Sequence, residues 1–217
     1  MSEGAITRIA LLGNPNSGKT TLFNNLTGLN QKTGNFPGVT VEKKLGYFDL
    51  EGQGKVELID LPGTYSIFPK SYDEEIVYKF LTSSDPDKNA DVLIVVADVT
   101  NLRRNLFLFT QVYDLNIPVV LTLSMVDIAE KDRSNIDVEL LESRLGIPVV
   151  PLNARKKKGI DELKKAINRA SAIKRKALLD VSRLTDVSAS ELKKATGSSN
   201  VYEALTKLTY SGLNDAL

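Results

Sequence analysis

Residues Gly13-Asn14-Pro15-Asn16-Ser17-Gly18-Lys19-Thr20 stand between an apolar run, Ile6 to Leu12, and a stretch with helical spacing, Thr21 to Leu26. Few features restrict a fold as strongly. Two glycines at this spacing let the backbone curl until its N–H groups converge, close to the positive end of the helix that follows. A strand must deliver such a loop and a helix must leave it, which commits the chain to α/β layering and the loop to phosphate oxygens. Lys19 then reaches the outer phosphates of a nucleoside triphosphate, and Thr20, with Thr21 beside it, brings a hydroxyl to magnesium.

The rest of the chain repeats the same alternation. Ile6 to Leu12, Thr40 to Leu50, Val56 to Asp60, Asp91 to Asp98, Pro118 to Met125 and Pro148 to Leu152 read as strands. Helices are expected near Lys19 to Thr27, Asp73 to Thr82, Asn101 to Leu115, Val138 to Leu145 and from Ile160 onward. This order predicts a P-loop NTPase fold with a mostly parallel six-stranded sheet and right-handed crossovers. Glu51-Gly52-Gln53-Gly54 reads as a hairpin turn, so one edge strand should be antiparallel. From about Ala166 the β-branched runs stop, and breaks fall near Thr185 and Gly197-Ser198-Ser199. The expected division is a nucleotide-binding domain over residues 1–165 and a small all-helical appendage over 166–217.

Composition removes several alternatives. The chain of 217 residues has neither cysteine nor histidine, which excludes disulfides and thiolate or imidazole metal sites. Lysine plus arginine number 28 against 27 for aspartate plus glutamate, so no basic field points to nucleic acid. No apolar run approaches the roughly 20 residues that span a bilayer, and Met1-Ser2-Glu3-Gly4 lacks a signal peptide's regions; a soluble, cytosolic segment is expected.

A phosphate loop alone does not separate ATPases, kinases and GTPases. The segments that follow it do. Asp60-Leu61-Pro62-Gly63 ends a strand, where Asp60 can hold the magnesium shell through water and the Gly63 N–H can meet the γ-phosphate. Gly34-Asn35-Phe36-Pro37-Gly38-Val39-Thr40 is a polar, glycine-rich stretch whose Thr40 can complete magnesium coordination when the γ-phosphate is present. With Ser124-Met125-Val126-Asp127 and Asn153-Ala154-Arg155, this set resembles the five ordered motifs of small G proteins over about the first 165 residues. Longer matches narrow the resemblance: Gly34 to Lys44, Asp60 to Ser66, Asp73-Glu74-Glu75 and Asn101-Leu102-Arg103-Arg104-Asn105-Leu106 are similar to FeoB, the bacterial ferrous iron transporter family.

That resemblance implies a GTP/GDP-binding, slowly hydrolysing regulatory G domain at the cytoplasmic face of the inner membrane. A membrane-embedded transporter domain is expected C-terminal to this soluble fragment, with room for small accessory proteins and an oligomer. The implied nucleotide contacts are Gly13 to Thr21, Gly38, Val39, Thr40, Asp60, Gly63, Ser124, Met125, Asp127 and Asn153 to Arg155. Thr20, Thr40 and Asp60 serve magnesium; Lys19, Thr40, Gly63 and Asn16 serve hydrolysis, with Asn16 implied as a potassium ligand that offsets developing phosphate charge.

Two departures bear on activity. Guanine-specific G proteins carry Asn-Lys-x-Asp at the base, and serine stands here at the asparagine position. Asp127 can still accept from guanine's Watson–Crick N–H groups and the Ala154 N–H can still donate to its carbonyl. Loss of the asparagine amide, which ties base loop to phosphate loop, is expected to weaken both purines by about 1 kcal/mol and, if the base loop loosens, to relax discrimination. Thr64 occupies the place of the glutamine that orients the attacking water, so intrinsic turnover should be slow. Two other readings therefore stand beside the GTPase: a non-catalytic nucleotide sensor, and a promiscuous purine triphosphatase that energises transport. Plainer readings suffice for Arg155-Lys156-Lys157-Lys158 as a solvated face, and for Asp73-Glu74-Glu75 as carboxylates favoured at a helix N-terminus.

Overall fold

The computed structural model describes residues 7–29, 31–36, 42–83, 89–131, 136–173 and 189–197. Seven strands form one sheet: β1 (Arg8–Gly13), β2 (Gln31–Asn35), β3 (Glu42–Leu50), β4 (Gly54–Asp60), β5 (Val92–Asp98), β6 (Val119–Ser124) and β7 (Val149–Pro151). Their order across the sheet is β2-β3-β4-β1-β5-β6-β7. From β4 to β7 every pairing is parallel, whereas β3 runs against both β2 and β4. The strand beyond the expected six is β2, a polar segment that closes the edge over the antiparallel β3. The hairpin turn after β3 forms as its glycines predict, with Gly52 and Gly54 both at φ 79° and the Gln53 N–H donating to Leu50 O.

The α-helices among the described residues are α1 (Lys19–Thr27), α2 (Tyr72–Thr82), α3 (Leu102–Tyr113), α4 (Val126–Lys131), α5 (Val138–Leu145), α6 (Ile160–Ala172) and α7 (Ala189–Thr196). Side chains alternate across β1, and both faces are covered: Ile9 and Leu11 join Phe23 of α1 and Ile167 of α6, while Ala10 and Leu12 join Val77 of α2 and Phe109 of α3. This is why β1 reads as an unbroken apolar run and not as an alternating one. Helix α6 buries Leu163, Ala166, Ile167 and Ala170, one face at helical spacing, and continues without a break past residue 165. No helix among the described residues is long and apolar enough to cross a membrane.

The chain leaves β1 toward β3 and β4 on one side, then returns past β1 to β5 on the other. The C-terminal end of β1 is therefore a topological switch point, where an open sheet leaves a crevice for a ligand. The phosphate loop sits there.

Candidate nucleotide site

Backbone geometry builds the loop. A Cβ on Gly13 would lie 2.5 Å from Val96 O and 2.8 Å from Ser17 Oγ, so only glycine lets β1 lie against β5 at this point. Gly18, at φ 93°, is the residue just before α1, and Asn16 takes the left-handed region at φ 62°. These turns, with the Ser17 N–H donating to Asn14 O at 3.2 Å, produce the concave loop that the motif predicts. Pro15, Asn16, Thr20 and Thr21 are exposed, while Asn14 and Ser17 are buried.

The segment after β4 lies against that loop. A Cβ on Gly63 would lie 3.0 Å from Pro15 N, and the Thr64 N–H donates to Gly13 O. Lys19 Nζ stands 3.1 Å from Asp60 Oδ1, both side chains largely buried. The expected phosphate-binding cation and the expected magnesium-shell carboxylate therefore meet at one point. Asp60 and the Thr20 hydroxyl are hard oxygen donors of the kind magnesium takes, and an asparagine oxygen at Asn16 suits a monovalent cation, so the residues present fit both ions. Gly38, Val39 and Thr40 lie outside the described residues.

Thr64 is fully buried, with its hydroxyl 2.6 Å from Ser66 O and 3.1 Å from Glu74 Oε1. That side chain is engaged within its own segment. The segment is in turn fixed to α3: Gln111 Oε1 accepts from both Ser66 Oγ and the Ile67 N–H, each at 3.0 Å.

On the base side, Ser124 ends β6 beside Asp98 of β5. Its hydroxyl lies 2.7 Å from Ser17 O and 3.2 Å from Ala97 O, and Ser124 is 5% exposed. The bond to Ser17 ties the base loop to the phosphate loop, so the looseness expected from a missing asparagine amide has a structural counterweight. Met125 turns the chain at φ 59°, and Asp127 stands half-buried in the first turn of α4. Asn153 is buried and accepts from the Lys156 N–H through Oδ1, shaping the short 3-10 turn Ala154–Lys156. Asn25 of α1 donates to Ala154 O at 2.6 Å, a second tie that the sequence did not reveal. Arg155 is exposed at the rim.

Comparison with known proteins agrees with this geometry. The model of the family described as "Ferrous iron transport protein B" matches residues 7–167. The Fe(2+) transporter FeoB of Salmonella typhimurium is 51% identical over 168 residues, 76% of this chain, and that of Escherichia coli K12 is 49% identical over the same length. The chain spans about a fifth of these relatives, 21% of their length. Among solved structures, the G domain of the T. maritima FeoB iron transporter is 42% identical with a TM-score of 0.69, covering 76% of this chain and 98% of that one. A mutant of S. thermophilus NFeoB bound to GDP is 37% identical with a TM-score of 0.79, covering 97% and 82%. The chain belongs to the ferrous iron transport protein B family and carries that family's G domain.

Proposed function

We propose that this chain binds GTP, hydrolyses it slowly, and acts as a nucleotide-controlled regulatory unit of a ferrous iron membrane transporter. The observation that carries the reading is the meeting of Lys19 with Asp60 beneath a loop that Gly63 touches, because phosphoryl transfer depends on cation and magnesium-shell groups held at one place. Thr20, Thr40 and Asp60 would hold magnesium, and Asn16 a potassium ion. Bound there, these cations would neutralise charge developing on the transferring phosphoryl group.

The chain's own residues do the rest. The loop N–H groups and Lys19 orient the phosphates, Gly63 offers its N–H to the γ-phosphate, and Asp127 with Ala154 selects guanine. The burial of Thr64 supports slow turnover, since its hydroxyl is turned into its own segment. Loss of the γ-phosphate would release Gly63, and the Gln111 contacts to residues 66 and 67 give that release a route to α3. The GDP bound by the S. thermophilus relative, and the Fe(2+) transporter names of the Salmonella and E. coli relatives, support guanine nucleotide and iron in turn. On this reading the domain sits on the cytoplasmic face of the membrane.

The test is phosphate release from GTP and ATP with magnesium, in potassium and in sodium buffer. Turnover of GTP that rises in potassium is the expected result. GTP binding without any turnover would replace the enzyme with a nucleotide sensor, and equal rates on GTP and ATP would replace it with a general purine triphosphatase.

A further inference from the structure

Between Asp60, which ends β4, and Tyr72, which begins α2, the chain forms no helix or strand, and Gly63 stands in this stretch. Two bonds tie its near side to β1 and the loop: the Leu61 N–H donates to Leu11 O at 3.1 Å, and the Thr64 N–H to Gly13 O at 3.2 Å. The chain beyond is held from α3. Gln111 is 7% exposed, and its Oε1 accepts from the Ser66 hydroxyl and the Ile67 N–H, each at 3.0 Å, across 45 and 44 residues. Both lone pairs of that oxygen are thereby used. The Ser66 hydroxyl in turn accepts from the Phe68 N–H at 3.1 Å, so one amide oxygen orders residues 66 to 68. Two turns earlier on α3, Arg104 stacks on the Tyr65 ring at 3.8 Å. An amide on the buried side of α3, beside Leu108 and Val112, costs stability unless its polar atoms are bonded, and these two donors are what it serves.

We propose that Gln111 is a positioning residue: it holds the chain that follows Gly63 and so sets the preference of the site for a triphosphate over a diphosphate. The inference rests on the nucleotide-binding reading given above. Gly63 lies against the loop, with a built Cβ 3.0 Å from Pro15 N. Its N–H aims only as well as the chain on both sides of it is held. A group already held meets its acceptor without an ordering cost, whereas a loose one must be ordered as the ligand binds. GDP carries no γ-phosphate and gains nothing from that order. Loss of the two bonds to Gln111 would therefore weaken the triphosphate and spare the diphosphate.

The test compares the affinities of the full chain for GTPγS and for GDP, with magnesium, in Gln111→Leu and Gln111→Glu. Leucine removes the acceptor, and binding of GTPγS is expected to fall about fivefold while GDP changes by less than about twofold. Glutamate keeps an oxygen that accepts from both donors, so it should restore the ratio of the two affinities to that of the unmutated chain. A purely structural role would lower both affinities together. Equal weakening of GTPγS and GDP in Gln111→Leu, no weakening of either, or a Gln111→Glu ratio as low as that of leucine would each overturn the proposal. Should Gln111→Leu not fold, Ser66→Ala removes one of the two bonds and should weaken GTPγS alone by about threefold; an unchanged ratio there would overturn it equally. Failure of the unmutated chain to bind either nucleotide would instead refute nucleotide binding itself.

Discussion

The two ends of the site are held by different means. At the phosphate end the main chain does the fixing: Gly13 admits β5, Gly63 lies on Pro15, and the Thr64 and Ser17 N–H groups bond to main-chain carbonyls. At the base end the fixing is by side chains, with Ser124 bonded to Ser17 O, Asn25 bonded to Ala154 O, and Asn153 capping its own turn. Backbone-built geometry demands particular residues, above all glycine, and so leaves a fixed pattern. Side-chain ties can be remade with another residue of suitable reach, as serine in place of asparagine shows.

The comparison predicts a gradient of sensitivity. Lys19→Ala should have the largest effect, about a hundredfold loss of GTP affinity by equilibrium titration, since a charge-assisted contact is lost and Asp60 is left without its partner. Asp127→Ala should come next: competition between GTP and ATP should show the preference falling by at least about tenfold, with overall folding unchanged by circular dichroism. Ser124→Ala removes a buried donor to Ser17 O and should weaken GDP by about tenfold and ADP by less, measured by fluorescent nucleotide displacement, because a loosened base loop no longer aims Asp127. Equal weakening of both nucleotides would mean that the tie does not aim Asp127. Asn25→Ala should cost about threefold in GDP affinity, because it removes a neutral, half-exposed bond. Lys79→Ala, in an exposed pair with Glu75 on α2, should change neither binding nor stability by more than about 0.5 kcal/mol.

The same contrast explains what could be read in advance. The phosphate loop, its strand and its helix were legible because local sequence determines them: a buried β-branched run, two glycines and a helical spacing. The hairpin turn was legible for the same reason. Strand β2 was not, because Gln31-Lys32-Thr33-Gly34-Asn35 has little to bury and is ordered by main-chain bonds to β3. The short α4 was hidden behind the base motif, whose residues invite a functional reading before a helical one.

Ser124 is the most instructive case. In sequence it reads as a lost amide. In the fold, the pairing of β5 with β6 places Ser124 where its hydroxyl reaches Ser17 O at 2.7 Å, so a hydroxyl supplies the tie.

The central claim is that a guanine nucleotide is selected by Asp127 and Ala154 on a base loop that Ser124 holds in place. The most direct measurement is the affinity of the full chain for GDP and for ADP under identical magnesium and potassium concentrations. A preference for GDP of about a hundredfold or more, roughly 2.7 kcal/mol, is the predicted result. Affinities within about threefold of each other would contradict it, and would mean that the bond from Ser124 to Ser17 does not hold the base loop well enough to choose.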